Sequence, residues 1–287
     1  MAKISDLLAQ GRTLSFEFFP PKTPVGVDNL KGAVAELAAS NPSFMSMTYG
    51  AGGSTRDLTA DLVIDMNREN DFPVMAHLTC IGHSHDQVKE LLDQYAEAGV
   101  ENILALGGDP PADGSEPGGE FAYACELVDL IRAHGADFSI GVAAQPEIHP
   151  RSPDHESDRR WLAEKLAKAD FGVTNFFFDP NDHLLMVEEL ADLGCHTPVL
   201  PGIMLFRNVG GLTRMSAVNQ SKLPSPEIME RLEAAGDDEA AVVDIAIELG
   251  TLVAERLLAA GAPGIHLFTL NRADAALRVI EELNLQP

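Results

Sequence analysis

The amino-acid sequence predicts an α/β barrel in which eight parallel strands alternate with helices. Eight short runs rich in β-forming residues recur about every 25–36 residues through the sixth interval, a usual length for a strand and its following helix. Most of these runs are continuously apolar, which is typical of parallel strands that are buried on both faces. A count of eight is that of a TIM barrel. The predicted strands are Thr13–Phe19, Phe44–Thr48, Val74–Thr79, Asn102–Leu106, Phe138–Ala143, Val173–Phe178, Val199–Met204 and Ile265–Leu270.

Segments with helical periodicity separate the predicted strands. In the segment Val27–Ala39, the apolar residues Leu30, Val34 and Leu37 fall on one face of a helix. Several segments end at a glycine just beyond the last turn, the usual C-terminal signal. The other predicted helices before the last strand are Leu58–Asn67, Asp86–Ala98, Ala122–His134, Arg160–Ala169, Asp182–Leu193 and Ala240–Ala260.

The interval before the last strand is longer than the others and predicts an insertion at residues 207–262. It contains an acidic, proline-flanked stretch, Leu223–Glu239, and the long helix Ala240–Ala260. No linker-like segment occurs elsewhere, so we expect residues 1–287 to form a single domain. An open, doubly wound sheet is the alternative architecture, although such a sheet seldom continues through eight consecutive βα units.

The composition excludes several classes of function. The chain has 287 residues, of which 44 are acidic and 20 are basic, giving a formal net charge of −24 at pH 7. This excess disfavours a nucleic-acid partner and an anionic membrane surface, because both require clustered basic side chains. The three cysteines form no CxxC pair, and no segment has the pattern of a signal peptide or a membrane span. We therefore expect a cytoplasmic protein.

Glu17 is the clearest candidate for chemistry. It lies within the apolar run Leu14–Pro21, and by alternation it shares a face with Ser15 and points into the barrel. A carboxyl group that is removed from water there retains its proton more readily and is suited to act as a general acid. The alternative is a structural role, in which Glu17 forms a salt bridge to a neighbouring strand.

Two glycine-containing loops also follow predicted strands. Asp109 follows Gly107 and Gly108, which allow a ligand to approach the backbone, and a carboxylate there would stabilise a developing cation. The alternative for Asp109 is a turn residue. The segment Tyr49–Asp57 has several glycines and Arg56 before a helix, a combination suited either to anion binding or simply to a tight turn.

Metal and Schiff-base chemistry are disfavoured. His83 and His85 lie in a loop with no carboxylate at ligand spacing, so we expect no metal site. His77 is expected to be a hydrogen-bonding residue of the core or of a ligand site. No lysine falls in a predicted strand, which disfavours an aldolase-type lysine nucleophile.

Eight motifs at the strand ends resemble those of the methylenetetrahydrofolate reductase family. In order, they are SFEFFPPKT, MSMTYGAGG, HLTCIG, LALGGDPP, VAAQPEIHP, TNFFFD, LPGIM and FTLNRA. The resemblance extends over residues 15–273 and corresponds to a catalytic barrel. It implies reduction of 5,10-methylenetetrahydrofolate to 5-methyltetrahydrofolate by NADH or NADPH, and most members of the family use FAD.

The resemblance also implies roles for individual residues. Glu17 matches the general acid that protonates folate N10, and Asp109 matches an aspartate that favours the resulting cation. Asn175 takes the position of a folate-binding glutamine, and Gln145 and Phe206 are further candidate substrate contacts. The positions that match FAD contacts in other members are Thr48, His77, Gly108, Tyr123, Ala124, His149, Asp158 and Lys165.

Four departures from the family pattern concern the flavin site. Gly107 stands where an arginine is usual, and Gln145 stands where a tyrosine is found. Trp161 and Glu164 replace an asparagine and an arginine. The lost cations and the added carboxylate disfavour a diphosphate. We therefore expect direct hydride transfer from NAD(P)H without FAD.

Other possibilities remain at the level of sequence. They are weaker FAD binding, a pterin-dependent barrel of another reaction class, and a folate-binding barrel without activity. The sequence does not choose between NADH and NADPH and predicts no oligomeric state. The anionic folate tail and coenzyme require cations, for which Arg56, Lys165 and Arg207 are the candidates.

Overall fold

The computed structural model describes residues 2–49, 56–108 and 118–285, apart from the side chains of Arg56 and Asp57. Eight parallel strands pair in chain order, and β1 pairs with β8, so the sheet closes into a barrel. The predicted fold class is confirmed, and the alternative of an open sheet is wrong. The strands are β1 Thr13–Phe18, β2 Phe44–Met47, β3 Val74–Thr79, β4 Asn102–Leu106, β5 Ser139–Ala144, β6 Phe171–Phe176, β7 Val199–Met204 and β8 Gly264–Phe268.

Helices follow each strand and cover the outside of the barrel, and one further helix, α1, precedes β1. They are α1 Ile4–Gln10, α2 Pro24–Ala38, α3 Arg56–Glu69, α4 His85–Glu97, α5 Ala124–His134, α6 His155–Leu166, α7 Pro180–Asp192, α8 Val209–Asn219, α9 Pro226–Ala235, α10 Glu239–Ala259 and α11 Asp274–Glu282. Of these, α1, α8 and α9 were absent from the sequence prediction. Within the described parts of the chain, no helix is long and apolar enough to cross a membrane.

The sixth strand lies two residues earlier than predicted. It covers Phe171–Phe176 rather than Val173–Phe178, because Phe177 and Phe178 continue the apolar run beyond the strand. Phe177 stacks on His183 of α7, and Phe178 contacts Phe206 edge to face. The apolar run in the sequence therefore includes residues that are buried just beyond the strand as well as those within it.

The N-terminal helix α1 closes one end of the barrel. Ile4 is fully buried against an interior cluster of Phe44, Met75, Leu104, Phe171, Val173 and Leu200. The amide nitrogen of Ile4 donates to Asn102 Oδ1 at 2.8 Å, and that of Ser5 donates to Ser139 Oγ at 3.1 Å. Strand-borne side chains thus satisfy two of the amide groups that a helix start leaves unpaired. The carboxyl ends of the strands form the opposite end, where ligands bind in barrels of this type.

The long interval between β7 and β8 forms three helices. The first of them, α8, lies over the carboxyl end of the barrel, and α10 packs against β7, α9 and α11. The loop after α8 is attached to the β5 end, since the amide nitrogen of Lys222 donates to the Glu147 carboxylate at 3.0 Å. The Lys222 ammonium group also pairs with Asp182 of α7 at 2.8 Å. The helix α9, Pro226–Ala235, lies within the acidic stretch Leu223–Glu239 that the sequence analysis identified.

Gly202 provides a test of packing inside the barrel. A Cβ atom at this position would overlap the Thr174 carbonyl oxygen and would lie 2.6 Å from the Phe268 ring. We expect Gly202→Ala to lower the free energy of unfolding by about 1–3 kcal/mol, as overpacking usually does. The measurement is urea-induced unfolding.

The matched control for this test is Gly32→Ala in α2. A Cβ atom there meets nothing within 4 Å. Alanine is the better helix former, so this variant should be stabilised by about 0.4–1 kcal/mol. Equal effects of the two substitutions would contradict the packing interpretation.

Candidate active site

Glu17 lies inside the barrel near its carboxyl end. One carboxylate oxygen, Oε2, is 3.3 Å from His77 Nε2 of β3 and 3.3 Å from His266 Nε2 of β8. The Glu17 side chain retains 17% of its exposure, so a ligand at the opening can reach it. Among the described residues, no lysine or arginine forms an ion pair with this carboxyl group. Glu17 therefore points into the barrel as predicted, and the two ionisable side chains beside its carboxylate are histidines.

A column of polar side chains supports Glu17 from below. His266 is fully buried, and its Nδ1 is 2.8 Å from Ser15 Oγ, while its Nε2 is 3.4 Å from Ser46 Oγ. Its ring also stacks on Phe44, with 5.8 Å between the ring centroids. These contacts set the direction in which His266 Nε2 faces Glu17. Sequence analysis missed His266, although its alternation with Phe268 along β8 was a usable signal.

His77 is neutral near pH 7. Burial lowers the pKa of His77 to about 4, against the opposing effect of Glu17 and with a further lowering by His266. Its Nε2 atom is buried and has no aligned hydrogen-bond partner, even though the Glu17 oxygen lies within ion-pair distance. A hydrogen bond weakens steeply with angle, so the Glu17 oxygen does not satisfy this nitrogen. A ligand group at the opening can therefore complete the bonding of His77.

A cavity of about 360 Å³ opens above Glu17. Its lining combines polar strand-end residues with apolar side chains and with one face of α8. It includes Glu17, Thr48, Asn175, Phe268, Arg214 and Met215. Arg214, which sequence analysis did not select, is an exposed cation at the edge of this cavity. Its position became visible only with α8.

Two amide side chains meet at the ends of β5 and β6. Asn175 Nδ2 donates to Gln145 Oε1 at 2.7 Å, which leaves Gln145 Nε2 buried without a partner. Gln145 is 5% exposed. A buried amide that lacks a partner is costly, and a ligand acceptor would satisfy it. The structure thus brings the two predicted substrate residues into direct contact.

Basic groups lie at another part of the rim. A Cβ atom at Gly107 would be 3.4 Å from Arg151 Nη2, so the Arg151 guanidinium lies against the glycine. Burial lowers the pKa of Lys165 to about 8, Asp158 raises it, and Arg151 lowers it further. The expected shortage of positive charge at position 107 is therefore wrong, because another part of the chain supplies an arginine there.

The next glycine has a steric role. Gly108 has a φ angle of +86°, and a Cβ atom there would overlap Ile81 Cγ2. A side chain at this position is therefore excluded both by the backbone conformation and by packing. The predicted ligand contact at Gly108 is restricted to its backbone.

A buried arginine organises the loop between β5 and α6. Arg159 is 4% exposed and donates to the carbonyl oxygens of Gln145, Pro146 and Glu147 at 2.6–3.3 Å. It also pairs with Asp158 at 2.8 Å and with Glu189 at 2.7 Å. Sequence analysis missed this residue. Its bonds fix the backbone of residues 145–147, and so the position from which Gln145 contacts Asn175.

Asp158 has an internal role. Its Oδ1 accepts from the amide nitrogen of His149 at 3.0 Å and from Ser152 Oγ at 2.7 Å, while its Oδ2 accepts from Arg159. Asp158 is 5% exposed, so it stabilises the loop that carries His149. Because both carboxylate oxygens are bonded within the chain, this geometry does not favour the predicted direct contact of Asp158 with a cofactor.

The remaining predicted site residues differ in their exposure and in their partners. Tyr123 is 62% exposed and precedes α5, whose first residue is Ala124. Phe206 is 1% exposed and contacts Phe178, so its ring packs inside the protein and this arrangement does not favour the predicted stacking on a ligand. Arg207 pairs with Glu239 and Asp274 at 2.8 Å, which removes it as a cation for an anionic ligand.

Asp109 and residues 50–55 lie outside the described residues, as does the side chain of Arg56. The predictions for Asp109 and for the glycine-containing loop after Tyr49 are therefore not addressed by this structure. Of the two histidines predicted to lie in a loop, His83 does so, whereas His85 is the first residue of α4. His83 Nε2 is 3.0 Å from the Tyr49 hydroxyl group, and His85 Nδ1 is 3.0 Å from Glu120.

The residues present fit a dinucleotide diphosphate but not the complete set of flavin contacts. Arg151 and Lys165 supply positive charge, whereas the carboxylate oxygens of Asp158 are bonded within the chain. Glu164 was expected beside the diphosphate, but it is exposed and acts on Lys168 instead. Trp161 is 46% exposed on α6. The charge argument against FAD is thus weaker than the sequence suggested, and the departures at Gln145 and Trp161 remain.

The barrel and its interior glutamate define an α/β-barrel protein with a candidate active site at the strand ends. The sequence profile of the family described as methylenetetrahydrofolate reductase matches residues 3–284. The chain belongs to the methylenetetrahydrofolate reductase family. This agrees with the resemblance carried by the strand-end motifs.

Relatives occur in plants and bacteria. The chain is 38% identical over 298 residues to a probable methylenetetrahydrofolate reductase (NADH) of Oryza sativa, covering 99% of this chain and 50% of that protein. It is 31% identical over 280 residues to a 5,10-methylenetetrahydrofolate reductase of Pectobacterium carotovorum, covering 97% of this chain and 92% of the relative. The chain thus spans about half the length of the plant relatives it matches.

Solved structures share the fold at low sequence identity. An uncharacterised Clostridium thermocellum protein, described as binding two copies of 5-methyl-5,6,7,8-tetrahydrofolic acid, aligns with a TM-score of 0.66 at 12% identity. That alignment covers 97% of this chain and 96% of the other. A 2,3-dimethylmalate lyase aligns with a TM-score of 0.56 at 12% identity, covering 98% and 85% of the two chains. These likenesses support the barrel fold.

Arg159 provides a test of how the loop is held. Arg159→Met removes the partner of two carboxylates and three carbonyl oxygens, so we expect the free energy of unfolding to fall by about 3–5 kcal/mol. Urea-induced unfolding measures this change.

The control is Arg160→Met, on the exposed face of the same helix. A surface substitution of this kind should change stability by no more than about 0.5 kcal/mol. If the two variants were equally stable, Arg159 would not be the residue that organises this loop.

Proposed function

We propose that the protein reduces 5,10-methylenetetrahydrofolate to 5-methyltetrahydrofolate with NADH, and that Glu17 is the general acid. The observation that carries the proposal is Glu17 at the base of the cavity, beside two histidines and without a lysine or arginine ion pair among the described residues. Glu17 lines the cavity, so a substrate atom can approach its carboxyl group. The names of the plant relatives support NADH as the reductant.

The cavity offers complementary groups for a reduced folate. Phe176, Met204 and Phe268 provide apolar surface for a flat pterin ring. The amides of Gln145 and Asn175 provide donors and acceptors for the nitrogen and oxygen atoms at the edge of that ring. Arg214 lies at the outer edge of the cavity, where it would attract the carboxylates of the folate tail.

The reaction requires one proton and one hydride. Glu17 donates its proton to N10 of the substrate, the bond from N10 to the methylene carbon breaks, and an N5 iminium cation forms. Hydride from the nicotinamide ring then adds to the methylene carbon, giving the N5-methyl product and NAD⁺. Glu17 regains a proton from solvent for the next turnover. Proton transfer of this kind contributes on the order of 10²–10⁴-fold to the rate.

The polar column beneath Glu17 orients this acid. His266 is held by Ser15, Ser46 and Phe44, and it faces the same carboxylate oxygen as neutral His77. Both side chains direct a ring nitrogen at this oxygen, so they fix the direction of the Glu17 carboxyl group within the barrel. Asp109, by its resemblance to the family aspartate, is proposed to favour the cation that follows ring opening.

Direct transfer from NADH, without FAD, is part of the proposal. Arg151 and Lys165 provide positive charge beside Gly107, which matches the charge of one diphosphate. Gln145 and Trp161 support the same choice, because they replace residues of the flavin-bearing pattern. Transfer requires the nicotinamide carbon and the methylene carbon to be held close and aligned, which the cavity beside Glu17 would provide.

Glu17→Gln should abolish folate-dependent oxidation of NADH while leaving the fold and folate binding intact. The amide has nearly the same shape but cannot deliver the proton, so we expect kcat to fall by about 10³-fold or more. Steady-state rates and a folate binding titration measure the two effects. The control is Glu36→Gln, an exposed glutamate of α2. A Glu17→Gln variant with nearly normal kcat would remove Glu17 from the role of general acid.

The use of flavin is tested by absorption spectroscopy and by rates. We expect purified protein that is incubated with FAD and then desalted to show no stoichiometric flavin absorption. The rate with NADH and methylenetetrahydrofolate should be the same with and without added FAD. Retained flavin, together with a rate that depends on it, would show instead that the protein follows the pattern of the flavin-bearing members. No turnover in either condition would favour a folate-binding barrel without activity.

A further inference from the structure

The loop between β5 and α6 places a cation where β4 lacks one. Gly107 follows the last residue of β4, and the Arg151 guanidinium lies 3.4 Å from the point that a side chain at position 107 would first occupy. Arg151 is 44 residues away along the chain, so this proximity is a product of the fold. Because Gly107 has no side chain, the Arg151 guanidinium can lie against this position.

The loop that carries Arg151 is braced by several hydrogen bonds. The amide nitrogen of Arg151 donates to His149 Nδ1 at 3.2 Å, and that of Ser152 donates to the His149 carbonyl oxygen at 2.8 Å. Ser152 Oγ is tied to Asp158 at 2.7 Å. The backbone on both sides of Arg151 is therefore positioned before a ligand arrives, which lowers the entropic cost of binding.

Arg151 has a second cation as its neighbour. Lys165 of α6 lies within electrostatic range of Arg151, which lowers its pKa, and the Lys165 side chain is half-buried. Among the described residues, neither side chain has a carboxylate within ion-pair distance, and both oxygens of nearby Asp158 are bonded elsewhere. Two close cations repel each other, and an anion between them relieves this repulsion.

We propose that Arg151 and Lys165 together bind the diphosphate of the nicotinamide coenzyme, with Arg151 replacing the side chain that Gly107 lacks. The inference rests on the proposed use of NADH. A diphosphate carries about two negative charges, which two cations balance, and the planar guanidinium group binds phosphate oxygens in a bidentate manner. Arg151 is therefore the residue that adapts this chain to a dinucleotide without an arginine on β4.

The test is direct titration of NADH, followed by coenzyme fluorescence in the absence of folate. Arg151→Gln should weaken NADH binding by about tenfold, because one charged hydrogen-bonding group is lost. Reduced nicotinamide riboside, which has no phosphate, should bind equally to both proteins. The control is Arg160→Gln, which removes an exposed arginine from the same helical region and should leave NADH binding unchanged.

A swap of the two positions provides the decisive variant. Gly107→Arg combined with Arg151→Gln returns the cation to the end of β4, where the vacated space accommodates a side chain. We expect the double variant to regain most of the NADH affinity that Arg151→Gln loses. Recovery of affinity would exclude a merely structural role for Arg151.

Failure of this inference is distinguishable from failure of the proposed function. If the unmodified protein oxidises NADH with methylenetetrahydrofolate but Arg151→Gln binds NADH normally, Arg151 does not bind the diphosphate. The inference is also overturned if Arg151→Gln weakens FAD binding alone, or weakens binding of the phosphate-free riboside equally. If the unmodified protein never oxidises NADH, the proposed function fails, whatever the titrations show.

Discussion

The closure of the sheet between β1 and β8 is the constraint on which the site depends. This pairing places Glu17 beside Phe268 in register, and it brings His266 next to Ser15. His77 then reaches Glu17 from β3, since every strand directs alternate side chains into the barrel. An open sheet would leave β1 and β8 at opposite edges, and the group around Glu17 would not form.

The basic side chains near the strand ends differ in whether they pair with carboxylates of the chain. Arg159 is buried and holds a loop, while Arg207 pairs with two carboxylates on the surface of the barrel. Arg151, Lys165 and Arg214 are different, because the structure shows no such ion pair for them among the described residues. The net charge of −24 therefore does not prevent local positive potential near the strand ends.

Much of the fold followed from sequence patterns. Strands β3, β4 and β7 match the predicted ranges, because short apolar runs with clear ends specify buried parallel strands. The exceptions have physical causes. α1 is a short helix whose Ile4 packs into the barrel floor, and α8 is weakly patterned because its surroundings include the open cavity. Neither helix therefore has a strong helical periodicity of apolar residues in its sequence.

The sequence by itself determined the eight-unit barrel, the inward direction of Glu17 and the family to which the chain belongs. It could not determine that His266, 249 residues from Glu17, shares its carboxylate oxygen with His77. Nor could it show that Phe206 is buried, or that Arg151 lies against Gly107. Local periodicity specifies which face a residue occupies, whereas contacts between distant elements depend on register, barrel closure and loop packing. Only the tertiary structure decided those contacts.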